Sequence, residues 1–226
     1  MMDLTDILAA DPDRAIMLAH VPAPRRVALT ALWRLDITGA EVVRTTSEPL
    51  IGQMRLTWWH DALTALDAVP THAEPLLAQI GTVVETGQAC GADLAAAIVG
   101  WEVLLEPMPL AEALLTEFAS VRGEGFFVAA SRILGASDQR VAAAGRGWAL
   151  VDLACHIGDA ETRTTALALA EAPLAEALAA RWPRALRPLG MLACFAESDR
   201  MAGAPPGRGG SPARMLRALR FRLAGR

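Results

Sequence analysis

The chain has 226 residues, of which 53% are hydrophobic and 20% charged, a balance that excludes an intrinsically disordered protein. Its formal net charge of −4 argues against a general nucleic-acid-binding protein. The three cysteines are odd in number and widely spaced, which disfavours both a disulfide framework and a zinc site. We therefore expect a globular protein with reduced thiols and a core that needs no covalent cross-links.

Targeting and membrane-spanning segments are not predicted. The first residues, MMDLTDILAADPDR, are acidic and do not combine a basic segment with an apolar one, as a signal peptide does. Apolar runs such as LAAAIVGW at 94–101 are far shorter than the ~18 residues that span a bilayer. These features predict a soluble, cytoplasmic protein.

Helix signals dominate the chain. Asp11 and Pro12 have the character of an N-cap and a first helical residue, and a long helix is predicted from Pro24 to about Arg44. Ser47 is predicted to cap the next helix. Alternation of β-branched residues is missing, so the fold class is predicted to be all-α. Further helices are predicted at roughly 73–86, 92–106, 109–134, 137–158 and 183–201.

The predicted domain organisation is a single helical domain over 1–200, a Pro/Gly-rich linker over 201–212 and an Arg-rich C-terminal helix over 213–226.

The C-terminal helix has two interpretations. Leu216, Leu219 and Leu223 form one stripe, and Arg214 and Arg217 lie off it. The helix can dock back on the bundle, or it can be a basic amphipathic helix that contacts the inner face of an anionic membrane peripherally.

Several segments together resemble the squalene/phytoene synthase family and follow its order. The most specific is EPLIGQMRLTWWHDAL at 48–63, with the pattern EP–G–RL–WW–DAL. The others are RRVALTALWRLDITGAEVV (25–43), GEGFFVAASRILGA (123–136), GRGWALVDLACHIGDA (145–160) and the C-terminal SPARMLRALRFRL. The resemblance implies a single-domain, all-α bundle of the isoprenoid synthase type around a central apolar cavity. It also implies enzymes that join two prenyl diphosphates head to head, with magnesium held between two aspartate-rich helices.

That chemistry sets a requirement on the residues. A departing diphosphate needs metal ions and arginine side chains to stabilise its charge. Because magnesium prefers carboxylate oxygens, each metal-bearing helix should offer acids four residues apart on one face.

The first aspartate-rich segment of the family falls on ITGAE, residues 37–41. Ile37 stands at the first acid position, and only Glu41 could replace the last acid. Asp36 precedes Glu41 by five residues, about 140° around a helix, so the two are not expected to hold one magnesium cluster.

The second aspartate-rich segment falls on HIGDA, residues 156–160. His156 and Ala160 stand at its acid positions, and Asp159 is its one carboxylate. The tyrosine-containing stretch that follows this segment in the family has no counterpart, because the chain contains no tyrosine.

These departures favour a catalytically silent protein, or pseudoenzyme. One branch of the family has degenerate aspartate motifs: the phytoene-synthase-like assembly factors for respiratory complex I. The sequence resembles this branch at least as well as it resembles the active enzymes. The preferred hypothesis is therefore a protein that binds a prenyl lipid or a partner protein in an assembly role. It predicts no cofactor, no metal and no nucleic acid.

The alternative hypothesis is a prenyl-diphosphate transferase of isoprenoid biosynthesis. Its magnesium site would be rebuilt from Glu41, Asp152 and Asp159, with Arg34 and Arg55 binding the diphosphate. Five or more acids at the cavity mouth would favour this enzyme. The candidate cavity or anion-binding residues are Arg34, Glu41, Arg55, Asp152, His156 and Asp159; no residue is assigned a catalytic role.

Structural interpretations stand beside these functional ones. Asp152, Cys155, His156 and Asp159 lie at helical offsets 0, 3, 4 and 7, which suits either a zinc or iron site or a solvated helix face. The charged residues near Arg34 can instead form ion pairs, Glu41 with Arg44 and Arg55 with Asp61.

Two further features have both a functional and a structural interpretation. The tryptophans 33, 58, 59, 101 and 148 can line a prenyl pocket or fill the core, and core packing is the interpretation we favour. The segment RGEG at 122–125 can kink the predicted 109–134 helix and bring its backbone close to a ligand.

Overall fold

The computed structural model describes residues 11–203 and 211–226. Within these two ranges the chain is helical and has no β-strand, so the predicted all-α class is confirmed. The α-helices, numbered in chain order, are α1 (Pro12–Ala19), α2 (Ala23–Arg44), α3 (Pro49–Ala65), α4 (Pro75–Glu85), α5 (Gly91–Val99), α6 (Glu112–Phe118), α7 (Gly125–Leu134), α8 (Arg140–His156), α9 (Ala160–Leu169), α10 (Glu171–Leu178), α11 (Arg187–Met201) and α12 (Pro212–Ala224). Two 3-10 segments, Gly100–Leu105 and Arg184–Leu186, and one π-helical segment, Ala119–Glu124, complete the described elements.

The first helices begin close to the predicted positions. Asp11 caps α1, because its carboxylate accepts from the backbone N–H groups of Asp13 and Arg14, both at 3.0 Å. The predicted Ser47 cap of α3 is wrong by one residue, since Glu48 is the N-cap. Pro49 explains the shift, because its fixed φ and missing N–H favour the first helical position.

The predicted 109–134 helix is divided into α6, the π-helical segment and α7. The π-helical segment ends within RGEG, so the irregularity predicted there is present. Gly123 in this segment packs directly on Gly145 of α8, and a Cβ on either glycine would overlap the carbonyl group of the other. This contact between main chains brings the π-helical segment against α8 and positions the side chain of Arg122.

The core packs around α8, which contacts α7, α9, α10 and α11. Trp33, Phe127 and Trp148 form an aromatic cluster with ring centroids 5.3–6.0 Å apart. These rings confirm core packing for two of the tryptophans. Trp58 departs from that prediction because its side chain is 48% exposed.

The terminal helix α12 docks on the bundle, but not through its leucine stripe. Arg214, Ala218 and Phe221 are its buried residues. Leu216, Leu219 and Leu223 remain 68%, 46% and 68% exposed.

The predicted linker at 201–212 lies mostly outside the described residues, which omit 204–210. Among the helices that are described, none is long and apolar enough to cross a bilayer.

Candidate functional site

A cavity of about 470 Å³ lies between the two motif helices, α2 and α8. The rest of its described wall comes from α1 with its N-cap, the 3-10 segment Gly100–Leu105 and the loop after it, the end of α6, the π-helical segment and the chain just after α8. Its walls are largely apolar, and charged residues line it as well. The apolar and aromatic lining residues are Ile37, Ala40, Val43, Trp101, Leu104, Met108, Phe118, Leu153 and Ile157.

Asp36 lies fully buried beside this cavity. Its carboxylate accepts from Nε and Nη2 of Arg122, both at 2.8 Å, and from Nη2 of Arg14 at 2.7 Å. The indole N–H of Trp101 donates to it at 3.1 Å. The desolvation cost of this carboxylate is therefore offset by two arginines and an indole.

Arg122 bridges the two motif helices. Its Nη2 also donates to Asp152 of α8 at 2.6 Å, and its Cζ lies 4.1 Å from the ring centroid of Trp101 and 4.7 Å from that of Trp148. Burial alone would lower the pKa of Arg122, but Asp36 and Asp152 outweigh it and raise the pKa above its ordinary value. The guanidinium is a permanent positive charge between two carboxylates.

The pKa values of the remaining acids depend on the same arginines. Burial would raise the pKa of Asp152, but Arg122, Arg14 and His156 outweigh it and hold the pKa below its ordinary value. Burial raises the pKa of Asp11, and the nearby charge of Arg14 opposes that shift. Asp152 is therefore kept ionised, and Asp11 is the more easily protonated of the two.

These residues do not fit the magnesium cluster that the resemblance implies. Asp36 and Asp152 already accept from arginines, and Ile37 and Ala160 offer no oxygen ligand from their side chains. Glu41 lies at the cavity rim, 3.9 Å from Arg44, with which it forms the ion pair that their spacing predicts. Over the described ranges, no three or more His, Cys, Asp or Glu side chains are grouped to hold a metal ion.

The four-residue stripe on α8 is not formed as predicted. The helix ends at His156, because Ile157 adopts an extended conformation with φ −81° and ψ 136°. Asp159 instead caps α9, accepting from the backbone N–H of Thr162 at 2.7 Å. Burial, with the charges of Asp199 and Asp152, raises the pKa of Cys155 to about 12, so this thiol stays protonated and is a poor metal ligand.

The structure brings three of the six candidate residues to the cavity: Glu41, Asp152 and His156. Arg34 and Arg55 are absent from its lining. The guanidinium of Arg34 donates to Gln79 at 2.7 Å, and that of Arg55 donates to the hydroxyl groups of two threonines at 3.1 and 2.9 Å. The predicted ion pair of Arg55 with Asp61 is not formed; the carboxylate of Asp61 instead lies 3.1 Å from Nδ1 of His60.

Among the described residues, the acids that line the cavity are Asp11, Glu41 and Asp152, which is fewer than the five acids that would favour the enzyme. Asp159, the third acid of the rebuilt site, is not among its lining residues.

Sequence reasoning missed the two central arginines. The segment RGEG predicts a kink, yet its Arg122 is the residue that joins the motif helices. The motif pattern does not indicate Arg14, because this residue lies on α1, outside both motif segments, and donates to Asp36 from there. The spacing of Asp36 from Glu41 does not suit a magnesium site, whereas an ion pair with an arginine requires no particular spacing in the sequence.

The helices, their order and the cavity between α2 and α8 define a protein of the all-α isoprenoid synthase fold. A family model for squalene/phytoene synthase matches residues 7–168, so the chain belongs to the squalene/phytoene synthase family. No curated protein and no solved structure matches the chain.

Proposed function

We propose that this chain is a catalytically silent member of its family, which binds a prenyl lipid in the cavity between α2 and α8. The observation that carries the proposal is the position of Arg122, which donates at 2.8 Å to Asp36 and at 2.6 Å to Asp152. One arginine thus occupies the carboxylates of both motif helices. An acid held in this way is not free to bind a metal ion.

The charge at this site does not suit a diphosphate. The positive charges of Arg14 and Arg122 are balanced by the negative charges of Asp36 and Asp152, to which they donate. A leaving diphosphate needs a surplus of positive charge that is free to contact it. The rebuilt magnesium site would also require Asp159, Arg34 and Arg55, and none of them lines the cavity.

The cavity does suit an apolar chain with a small polar end. Its volume of about 470 Å³ lies within the range of about 300–1,000 Å³ typical of small-molecule sites. Aliphatic and aromatic side chains supply most of the wall, and Glu41, Arg44 and His156 supply polar groups. A prenyl alcohol matches this distribution, because its isoprene units bury apolar area and its hydroxyl group carries no charge.

Catalytic silence is tested by incubating the protein with labelled farnesyl or geranylgeranyl diphosphate and magnesium. We expect neither a coupled product nor diphosphate release above the rate without protein. Magnesium-dependent release of diphosphate would contradict this part of the proposal.

Lipid binding is tested separately, with farnesol and geranylgeraniol as probes and isothermal titration calorimetry as the readout. Ala40 lines the cavity, so Ala40→Trp should fill it and abolish the binding heat. Ala96→Trp, at an exposed position on α5, is the matched control and should bind like the parent. Equal binding by both variants would show that the alcohols do not enter this cavity.

A further inference from the structure

The position of α12 is fixed without its leucines. Its backbone carbonyls at Arg222 and Leu223 accept from Arg187 at 2.5 and 3.1 Å. Just beyond the helix, the carbonyl of Gly225 accepts from the backbone N–H of Trp182 at 2.8 Å. Together with the buried Arg214, Ala218 and Phe221, these bonds hold the helix against the bundle through one side.

The opposite side of α12 is apolar and exposed among the described residues. It consists of Met215, Leu216, Leu219 and Leu223, which we call the leucine face. Between 46% and 68% of each of these side chains is exposed. Single exposed leucines are ordinary on a protein surface, but four large apolar side chains on one side of a short helix form a patch of the kind that marks an interaction surface.

Arginines flank the leucine face. At 100° per residue, Arg220 lies on one side of it and Arg222 on the other, with Arg217 further round. All three are exposed, and the helix has no acidic residue between Pro212 and Ala224. This composition is unlike that of the whole chain, whose net charge is −4.

The positive charge continues into an adjoining groove of about 1170 Å³. Leu219 and Leu223 of the leucine face line this groove. No acid is present among its described lining residues, whereas four arginines are. These arginines are Arg26, Arg184, Arg187 and Arg222.

We propose that the leucine face docks on an anionic phospholipid bilayer. The leucines would enter the boundary between headgroups and acyl chains, and the flanking arginines would contact lipid phosphates. A bilayer offers both chemistries over one surface, an apolar layer beneath a negatively charged layer. The two layers match the surface of α12, on which the apolar leucine face lies between flanking arginines. The inference does not rest on the cavity or on catalytic silence.

Flotation with vesicles tests this directly. One set of vesicles contains phosphatidylcholine alone, and the other contains equal parts of phosphatidylcholine and phosphatidylglycerol. We expect the full chain to float with the anionic vesicles, more weakly with the neutral ones, and less as salt is added. Failure of the parent chain to float with anionic vesicles at low salt would overturn the proposal.

Two sets of substitutions separate the leucines from the arginines. The triple variant Leu216→Ser, Leu219→Ser, Leu223→Ser should lose binding to anionic vesicles by roughly a hundredfold, because the apolar area that enters the bilayer is removed. The variant Arg217→Gln, Arg220→Gln, Arg222→Gln should lose its preference for anionic over neutral vesicles.

The matched control is Leu50→Ser, Ile51→Ser, Met54→Ser on α3, which removes three exposed apolar side chains from another surface. It should float like the parent. Equal flotation of the leucine variant and the parent would overturn the proposal, as would a parent dimer in size-exclusion chromatography that the leucine variant abolishes. All these side chains are exposed, so unchanged thermal unfolding of each variant confirms that the fold is retained.

Discussion

Two clusters in this molecule have the same chemistry, an arginine between two aspartates, in different surroundings. In the inner cluster, Arg122 and Asp36 are fully buried, and Asp152 is 17% exposed. Arg214, which donates to Asp13 at 2.7 Å and to Asp199 at 2.6 Å, is 8% exposed, and its aspartates are 24% and 18% exposed. The inner cluster joins the motif helices, whereas the outer cluster joins the first described helix to the last.

Adjacent residues of α1 belong to the two clusters: Asp13 contacts Arg214 of the outer cluster, and Arg14 contacts Asp36 of the inner cluster. The clusters differ in the access of water to the arginine and to one aspartate. A broken outer pair can be rehydrated, while a broken Arg122–Asp36 pair leaves a charge in the core. The predictions below follow from that difference.

The largest effect is expected for Arg122→Ala. It leaves Asp36 and Asp152 without their shared partner, so the free energy of unfolding should fall by about 3–5 kcal/mol. Urea denaturation, monitored by circular dichroism, measures this loss of stability. Arg146→Ala is the control, because its pair with Glu124 at 2.5 Å is partly exposed and its loss should cost less than about 1 kcal/mol. Similar losses for the two variants would show that burial of the inner cluster is energetically unimportant.

Arg214→Ala should have the next largest effect, about 1–3 kcal/mol, because Asp13 and Asp199 regain contact with water. The loss should be concentrated in α12, whose buried face includes Arg214. Hydrogen exchange should therefore accelerate over residues 212–224 more than over α8. Uniform acceleration through the molecule would contradict a role confined to attaching the terminal helix.

Lowering the pH should destabilise the inner cluster by protonating Asp152. The pKa of Asp152 is lowered in the folded state, below the ordinary 3.8, so ionisation of this group stabilises the fold. That contribution is complete above the ordinary pKa and is lost as the pH falls through the folded pKa. Asp152→Asn should therefore be less stable than the parent by about 1 kcal/mol near pH 7, with the difference shrinking in acid.

Asp11→Asn is the matched comparison for that pH series, because asparagine also caps helices well. The pKa of Asp11 is raised by burial, so ionisation of Asp11 destabilises the fold as the pH rises. The stability of Asp11→Asn relative to the parent should accordingly increase with pH, opposite in sign to Asp152→Asn. Urea denaturation at a series of pH values measures both, and trends of the same sign would refute these assignments.

The smallest effect is expected for Glu41→Gln. Glu41 stands at the last acid position of the first motif segment, but its pair with Arg44 is exposed and 3.9 Å long. Its loss should change the free energy of unfolding by less than about 0.5 kcal/mol. A larger loss, measured by the same urea denaturation, would show that Glu41 has a partner other than Arg44.

Much of the fold was predictable because its signals are local. The Asp11 cap, the α2 helix from Pro24 and the irregularity at RGEG follow from neighbouring residues, and all three are present. The family was predictable from the order of several segments, and the match over 7–168 confirms it.

The candidate site was less predictable because it is built across long separations. The pair of Arg122 with Asp36 spans 86 residues, and no local spacing indicates it. The leucine stripe of α12 was visible in the sequence, but the side of the helix that docks was not. Arg214, Ala218 and Phe221 form the buried side, and the partners of Arg214 are Asp13, 201 residues away, and Asp199, 15 residues away.

The contact of Gly123 with Gly145 has a consequence for how this family member can change. Since each glycine faces the carbonyl group of the other, main-chain atoms fix the separation of the two helices. A methyl group at either position would force the π-helical segment away from α8. Loss of a single glycine would thus move Arg122, which follows the shift of its segment, relative to Asp152, although no side chain of the cavity wall had been exchanged.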